Sequence, residues 1–296
     1  MNVLERHNAS PIEIQFAVDG SEHSTAATHL IGHLPLPPGS QVTALGVLTP
    51  RRSPGRAELM EALDEVKRQL QSKGIQANTG LLHGHPAEVL IDFANEHRPD
   101  LMIVGAKGLH ARLGILLGGV AQQVVERAAW PIMVVRAPYS GLQRVLLTTD
   151  GSLNSQEAAE CLAKFPLPDK TQVQVLHVLT RSEVPVLPRS GSLMAGAENW
   201  EALIPSPELQ IKAGQAILDE TLKRLRSSRI TVKSILTVGP IAEKILETVE
   251  SQQIDLIVAG SRGLSAVKAW MLGSVSRSLI YYSKCSILII PERMEG

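Results

Sequence analysis

Short apolar runs alternate with longer segments of helical periodicity along most of the chain. The runs are rich in β-branched residues and bounded by turn residues, which predicts strands over 14–18, 42–48, 101–104 and 132–135. Residues 57–74 have helical spacing and end on Gly74, and 86–97 opens on Pro86, so both read as helices. This alternation predicts a parallel sheet with helices on both faces.

The same order of elements occurs twice. IEIQFAVDGS at 12–21 matches RVLLTTDGS at 144–152, QVTALGVLT at 41–49 matches QVQVLHVLT at 172–180, and 74–108 matches 229–263. The 296 residues suit two domains. We therefore expect an α/β chain with domains over 1–140 and 141–296. Each would be a doubly wound, Rossmann-like parallel sheet of strand order 3-2-1-4-5, and the Pro, Ser and Gly of 181–208 predict a long loop.

Composition narrows the classes of partner. Lys and Arg together number 29, as do Asp and Glu, and aromatic residues are 3% of the chain, so no nucleic-acid surface is expected. Cys161 and Cys285 make no disulfide framework. No apolar leader or run of membrane-spanning length occurs, which predicts a cytoplasmic protein without a membrane partner.

Glycines in the second repeat mark a candidate anion site. Gly260 follows an apolar strand, Gly263 comes three residues later, and Gly273 precedes a helical run that starts with Ser274. A strand that ends in glycines before a helix N-terminus suits phosphate, because the backbone can approach it and free N–H groups face it. We expect hydroxyl donors from Ser274 and Ser276, and a phosphate-facing or positive-φ backbone at Gly263.

The acidic residue Asp150 ends the first strand of the second repeat. In strand order 3-2-1-4-5 the first and fourth strands are neighbours, so Asp150 and Gly260 border the crevice where such sheets bind ligands. Asp150 can accept ribose hydroxyls or help to hold a metal near phosphates. The alternative is that Asp150, Gly151 and Ser152 only cap the next helix.

These residues carry a resemblance to the universal stress protein family, of the tandem type. The family's nucleotide signature G-x2-G-x9-G-[ST] is matched by Gly260, Gly263, Gly273 and Ser274. The resemblance implies ATP, ADP or AMP as ligand, leaves Mg²⁺ at the phosphates open, and implies that the backbone at Val178 reads adenine. The positions expected to bind nucleotide are Asp150, Gly151, Ser152, Val178, Gly260, Arg262, Gly263, Gly273, Ser274, Val275 and Ser276.

The first repeat departs from this signature. Gly119 stands where Ser or Thr is expected, and Ala121 stands in place of Ser276. Two lost hydrogen bonds to a phosphate would cost about 3–6 kcal/mol, so weaker binding is predicted here. Its candidate positions are Asp19, Gly20, Ser21, Val47, Gly105, Gly108, Gly118 and Gly119. The loop residues Lys107 and Arg262 are open to either a phosphate or a solvent role.

Three functions remain open from the sequence. The leading one is an ATP-binding universal stress protein that acts as a nucleotide-sensing module in stress or signalling, with no catalytic residue assigned. The others are a slow Mg²⁺-dependent ATPase or adenylyl-transfer enzyme that uses Asp150, and a nucleotide-free scaffold. The last strands, 132–135 and 287–290, are short, apolar and sticky if left open. Together with the family resemblance, they predict that the two last strands pair antiparallel, so that one chain forms a pseudo-dimer. A homodimer of whole chains stays open.

Overall fold

The computed structural model describes residues 10–49, 55–109, 117–180, 206–225, 231–264 and 272–292. Strands and helices alternate through the first repeat, as predicted, and the strand bounds agree to within one residue. Its elements are β1 (Glu13–Val18), α1 (Glu22–His33), β2 (Gln41–Leu48), α2 (Arg56–Ser72), β3 (Gln76–His83), α3 (Pro86–His97), β4 (Leu101–Gly105), α4 (Gly119–Arg127) and β5 (Ile132–Val135).

The second repeat has the same order. Its elements are β6 (Arg144–Thr148), α5 (Leu153–Lys164), β7 (Gln172–Leu179), α6 (Pro207–Leu225), β8 (Thr231–Val238), α7 (Ile241–Ser251), β9 (Leu256–Gly260), α8 (Ser274–Tyr282) and β10 (Ser286–Ile290). Helix α6 begins within the predicted loop 181–208, because Ser206 accepts the Leu209 N–H and starts the helix. The rest of that loop prediction, 181–205, lies outside the described residues.

Local signals in the sequence set the helix ends that were predicted. Helix α2 ends at Ser72, and Gly74 follows with a φ of +77°, which is the left-handed conformation that glycine favours after a helix. Helix α3 has Pro86 in its first turn, where a missing N–H costs nothing. Both predictions are confirmed.

One ten-stranded sheet runs through both repeats. Its order is β3-β2-β1-β4-β5-β10-β9-β6-β7-β8, which is 3-2-1-4-5 in the first half and the same pattern reversed in the second. All pairings within a half are parallel. The predicted doubly wound fold is confirmed.

The halves meet through their last strands. Strands β5 and β10 pair antiparallel, with Ile287 opposite Val134, Leu288 opposite Met133 and Ile289 opposite Ile132. The predicted pairing is therefore confirmed, and a local twofold passes near the central pair. Arg136, which is buried just after β5, donates from Nη2 to the Ile280 carbonyl of α8 at 2.6 Å and so links the repeats.

Two apolar layers cover the sheet, and each one extends over both repeats. One layer packs α1, α2, α5 and α6 on one face, and the other packs α3, α4, α7 and α8 on the opposite face. This arrangement leaves the carboxyl ends of the strands as the open edge at which both glycine loops lie. Among the described helices, none combines the length and apolar character needed to cross a membrane.

Candidate functional site

Each repeat holds an aspartate at the crevice between its first and fourth strands. Asp150 Oδ1 accepts the Ser152 N–H at 3.0 Å, and Oδ2 accepts the Leu264 N–H at 2.9 Å. Asp19 makes the equivalent bonds, from Ser21 N at 3.0 Å and Leu109 N at 3.2 Å. The carboxylate thus ties the turn after one strand to the glycine loop after its neighbour. The crevice that topology predicts is assembled in both repeats.

The helix-capping reading of the Asp-Gly-Ser turn also holds. Ser152 is the N-cap of α5 and accepts the Ser155 N–H, and Ser21 caps α1 through Ser24 in the same way. Gly151 has a φ of +81°, so the turn needs a residue without Cβ. Capping and crevice placement are therefore properties of one turn and do not compete.

The central signature glycine is explained by the aspartate beside it. A Cβ at Gly263 would lie 2.3 Å from Asp150 Oδ2, and one at Gly108 would lie 2.7 Å from Asp19 Oδ2. Neither glycine has a positive φ. Of the two alternatives expected at Gly263, a phosphate-facing position or a positive φ, the second is therefore wrong. The glycine is needed because the carboxylate must reach the loop backbone.

Asn154, which sequence reasoning missed, holds the glycine loop of the second repeat. Its Oδ1 accepts the Arg262 N–H at 2.9 Å and the Ser261 hydroxyl at 3.3 Å, and its Nδ2 donates to the Ile290 carbonyl at 3.1 Å. A Cβ at Gly260 would come within 2.7 Å of Asn154 Oδ1. The signal available in the sequence was a short amide in the first turn of the helix after the Asp-Gly-Ser turn.

His23 occupies the equivalent position in the first repeat. Its buried ring accepts the Ala137 N–H on Nδ1 at 2.8 Å, so a neutral ring carries its proton on Nε2. Burial lowers the pKa of His23. Glu22 acts against that shift and Lys107 adds to it. The two repeats thus use different chemistry behind their glycine loops.

The N-terminus of α8 packs directly on the second loop. The Gly273 N–H donates to the Ser261 carbonyl at 2.8 Å, and a Cβ on Gly273 would lie 3.3 Å from that oxygen. Ser274 is exposed at the first helical position. The N–H groups of Ser274, Val275 and Ser276 begin the helix, where no acceptor exists within the helix itself. This end of α8 therefore places, beside the loop, N–H donors that no carbonyl of the helix accepts.

The Ser276 hydroxyl does not serve as the predicted phosphate donor. The residue is 5% exposed, and its Oγ donates to the Gly260 carbonyl at 2.7 Å. A hydroxyl has one hydrogen, which this bond uses. That expectation is corrected: the side chain clamps the helix to the strand end. Ala121, its counterpart, is 2% exposed and makes no such bond.

The first repeat keeps the loop backbone but has Gly119 and Ala121 where the second repeat has Ser274 and Ser276. The Gly118 N–H donates to the Ala106 carbonyl at 2.7 Å, as Gly273 does in the second repeat. Gly119 is exposed, and a Cβ there would meet nothing within 4 Å. Gly105 packs against α1, where its Cβ would lie 3.0 Å from that of His23. The first repeat thus has the helix N-terminus but no hydroxyl at the position that corresponds to Ser274.

The side chain of Arg262, the cation of the second loop, is paired within the protein. The Arg262 guanidinium forms an ion pair with Glu292 just after β10, a partner that the sequence did not indicate. In the first repeat, the Lys107 carbonyl accepts the Ser21 hydroxyl at 3.1 Å. The backbone of Arg262 thus lies in the loop while its side chain is directed toward the end of β10.

The backbone at Val178 points into the crevice. The Thr149 N–H donates to the Leu176 carbonyl, and the Gly239 N–H donates to the Leu179 carbonyl. Because alternate residues of a parallel strand bond to opposite neighbours, Val178 faces β6, whose last residue is Thr148. Its side chain is in the core at 8% exposure. Val47 has the equivalent place in β2, which extends beyond Val18 at the end of β1.

This architecture defines a doubly wound α/β protein with a ligand crevice at the carboxyl ends of its strands. The chain belongs to the universal stress protein family, whose model matches residues 13–136 and again 141–291.

Relatives agree with that assignment over different lengths. A universal stress protein of Mycolicibacterium smegmatis is 23% identical over 308 aligned residues, which are 97% of this chain and 99% of the relative. Another, from Methanocaldococcus jannaschii, is 36% identical over 28% of this chain and 49% of its own length. A crystal structure of a universal stress protein from Archaeoglobus fulgidus covers 95% of this chain and 98% of its own at 20% identity, with a TM-score of 0.66. It has the same fold.

Proposed function

We propose that the chain is an ATP-binding universal stress protein whose second repeat holds the nucleotide. One observation carries nucleotide binding at this crevice: Asp150 bridges the Asp-Gly-Ser turn and the glycine loop at the switch point of the sheet, through the N–H groups of Ser152 and Leu264. That contact fixes a carboxylate beside a strand–glycine–helix anion site. Asp19 makes the same bridge, and we assign the nucleotide to the second repeat because Ser274 stands there in place of Gly119. ADP or AMP would occupy the same crevice.

The residues fit an adenine nucleotide in three respects. The first turn of α8, from Ser274, presents N–H donors for phosphate. The Val178 peptide faces the crevice and supplies a place for backbone contacts to a base. Two N–H bonds use about half of the acceptor capacity of the Asp150 carboxylate, so it can still accept a ribose hydroxyl or contact Mg²⁺ at the phosphates.

We further propose that the protein is a binding module that works in the cytoplasm and responds to nucleotide. No group of three or more His, Cys, Asp or Glu suited to a metal occurs among the described residues. The Mg²⁺ of this proposal would therefore be held chiefly by the nucleotide. The proposed role is a switch whose state follows the ratio of adenine nucleotides.

The test is extraction of the purified full chain with acid, followed by chromatography of the released nucleotides and calorimetric titration with ATP. We expect ATP, ADP or AMP in the extract and saturable ATP binding. An empty extract together with a flat titration would favour the scaffold alternative. Steady phosphate release over hours, lost in Asp150→Ala, would favour the slow ATPase.

A further inference from the structure

A buried group of polar side chains lies directly under the Asp150 turn in the second repeat. Thr149, Ser155 and Thr221 are 6%, 3% and 2% exposed. Thr149 Oγ1 lies 3.1 Å from Ser155 Oγ and 3.3 Å from Thr221 Oγ1. The cluster joins the end of β6 to α5 and α6.

Counting protons gives the direction of these bonds. Ser155 Oγ donates to the Ser152 carbonyl at 2.9 Å, and Thr221 Oγ1 donates to the Ile217 carbonyl at 2.9 Å. Each hydroxyl has one hydrogen, so neither Ser155 nor Thr221 can donate to Thr149 while these bonds hold, and the single hydrogen of Thr149 serves one of the two. Thr149 Oγ1 in turn accepts the Gly151 N–H at 3.3 Å. The bonds therefore run from the turn through Thr149 into one of the two helices.

The turn is also held through its carbonyls. His177 Nδ1 lies 2.8 Å from the Thr149 carbonyl, which can only accept, so Nδ1 carries a proton. Gln156 Nε2 donates to the Gly151 carbonyl at 3.1 Å, and Gln156 Oε1 accepts from Arg224 of α6 at 2.8 Å. Side chains thus hold the carbonyl groups of the two residues that flank Asp150.

The first repeat has apolar residues at two of these three places and keeps a serine, Ser24, at the third. The burial pattern of α2 matches that of α6. The buried positions Leu59, Leu63, Val66 and Leu70 of α2 correspond to Gly214, Leu218, Thr221 and Leu225 of α6. Val18 precedes Asp19 where Thr149 precedes Asp150, and Val66 stands in place of Thr221. The hydroxyl group of Thr149 and its bond to the turn therefore have no counterpart in the first repeat.

A compensating exchange makes room for His177. A Cβ at Gly214 of α6 would lie 3.1 Å from His177 Cδ2. In the first repeat the glycine is on the strand: a Cβ at Gly46 would lie 2.9 Å from Leu59 Cγ of α2. The large side chain is thus Leu59 of the helix in the first repeat and His177 of the strand in the second. In the second repeat a polar ring therefore lies beneath the turn.

We infer that Thr149 is a positioning residue that, with Thr221 and Ser155, sets the Asp150 carboxylate for recognition of the ribose hydroxyls of the bound nucleotide. The inference deepens the proposed function and rests on it. Thr149 acts through the Gly151 N–H and does not touch the ligand. It gives the second repeat a ribose selectivity that the first repeat lacks.

The test compares ATP with 2′,3′-dideoxyATP by calorimetry on the full chain. All variants carry Asp19→Ala, so that ribose recognition reports the second repeat alone. Thr149→Val copies Val18 and is expected to weaken ATP binding about five- to tenfold, the loss typical of one hydrogen bond, while dideoxyATP changes less than about twofold. Thr149→Ser keeps the hydroxyl and is expected to restore ATP affinity.

Thr171→Val is the matched control for a structural role. Thr171 is 2% exposed, and its hydroxyl lies within hydrogen-bond distance of the Leu142 and Pro168 carbonyls at the opposite end of the strands. It should lower the melting temperature without changing the ratio of the two affinities. The inference is overturned, while ATP binding stands, if Thr149→Val weakens ATP and dideoxyATP equally. It is also overturned if the parent chain, which carries only Asp19→Ala, binds the two nucleotides with the same affinity. No ATP binding by the parent chain overturns both.

Discussion

Gly263 and its neighbour Asp150 set the geometry of the site at the scale of single residues. Gly263→Ala places a methyl group 2.3 Å from Asp150 Oδ2, so the carboxylate must leave its bond to Leu264 N. Losing a hydrogen bond to a charged group costs about 1.5–3 kcal/mol, which predicts at least about a tenfold loss of ATP affinity by calorimetry. Gly119→Ala is the control, because its Cβ meets nothing within 4 Å. Equal affinities in both variants would contradict this role.

His23 gives the first repeat a pH dependence that Asn154 does not give the second. Burial lowers its pKa below 6.5, so the unfolded chain binds a proton that the folded chain resists. The stability that the neutral ring contributes is present above pH 6.5 and is lost as the pH falls toward the folded pKa. Melting curves between about pH 7.5 and 5.5 should fall more steeply for the unaltered chain than for His23→Asn. Parallel profiles would show that His23 titrates normally.

Helix α8 depends on one buried side-chain bond at the scale of elements. Ser276→Ala leaves the Gly260 carbonyl buried without its hydroxyl donor, so the free energy of unfolding should fall by about 1–3 kcal/mol in denaturant titrations. Ser278→Ala is the control on the same helix. That residue is half-buried and its hydroxyl donates only to the Ser274 carbonyl, so about 0.5 kcal/mol or less is expected. A similar cost for both would show that the clamp contributes little.

The elements were predictable from sequence because each carries its own local signal. Apolar runs marked β1 and β4, Gly74 and Pro86 marked helix ends, and the duplication suggested one plan for both halves. Contacts between distant segments carried no such signal. The bond from Ser276 to Gly260, the hold of Asn154 on the loop, and the pair of Arg262 with Glu292 depend on how β6, β9 and β10 come together.

The junction between β5 and β10 holds the two repeats in one sheet at the scale of the whole molecule. The Ser261 N–H donates to Ile290, so Ile290 faces β9 and, by alternation, Ile289 faces β5 opposite Ile132. Ile289→Pro removes that donor from the centre of the sheet. We expect the linker 136–144 to become sensitive to protease and the radius of gyration in solution scattering to increase.

Ser234→Pro provides the matched control for that change. Ser234 is exposed on the edge strand β8. The Gly239 N–H donates to Leu179 of β7, and alternate residues of a strand face opposite sides, so the Ser234 N–H points away from β7. Proline there should leave both the linker and the scattering profile unchanged. A resistant linker and unchanged scattering in Ile289→Pro would mean that Arg136 and the helices suffice to join the repeats.

Calorimetric titration of the full chain with ATP in two matched variants, Asp150→Ala and Asp19→Ala, shows which repeat holds the nucleotide. Both carboxylates make the same pair of backbone bonds, so each change removes equivalent contacts from one repeat. We predict that Asp150→Ala lowers ATP affinity at least about tenfold and that Asp19→Ala changes the affinity of the tightest site less than about twofold. Loss of that site in Asp19→Ala with retention in Asp150→Ala would contradict it.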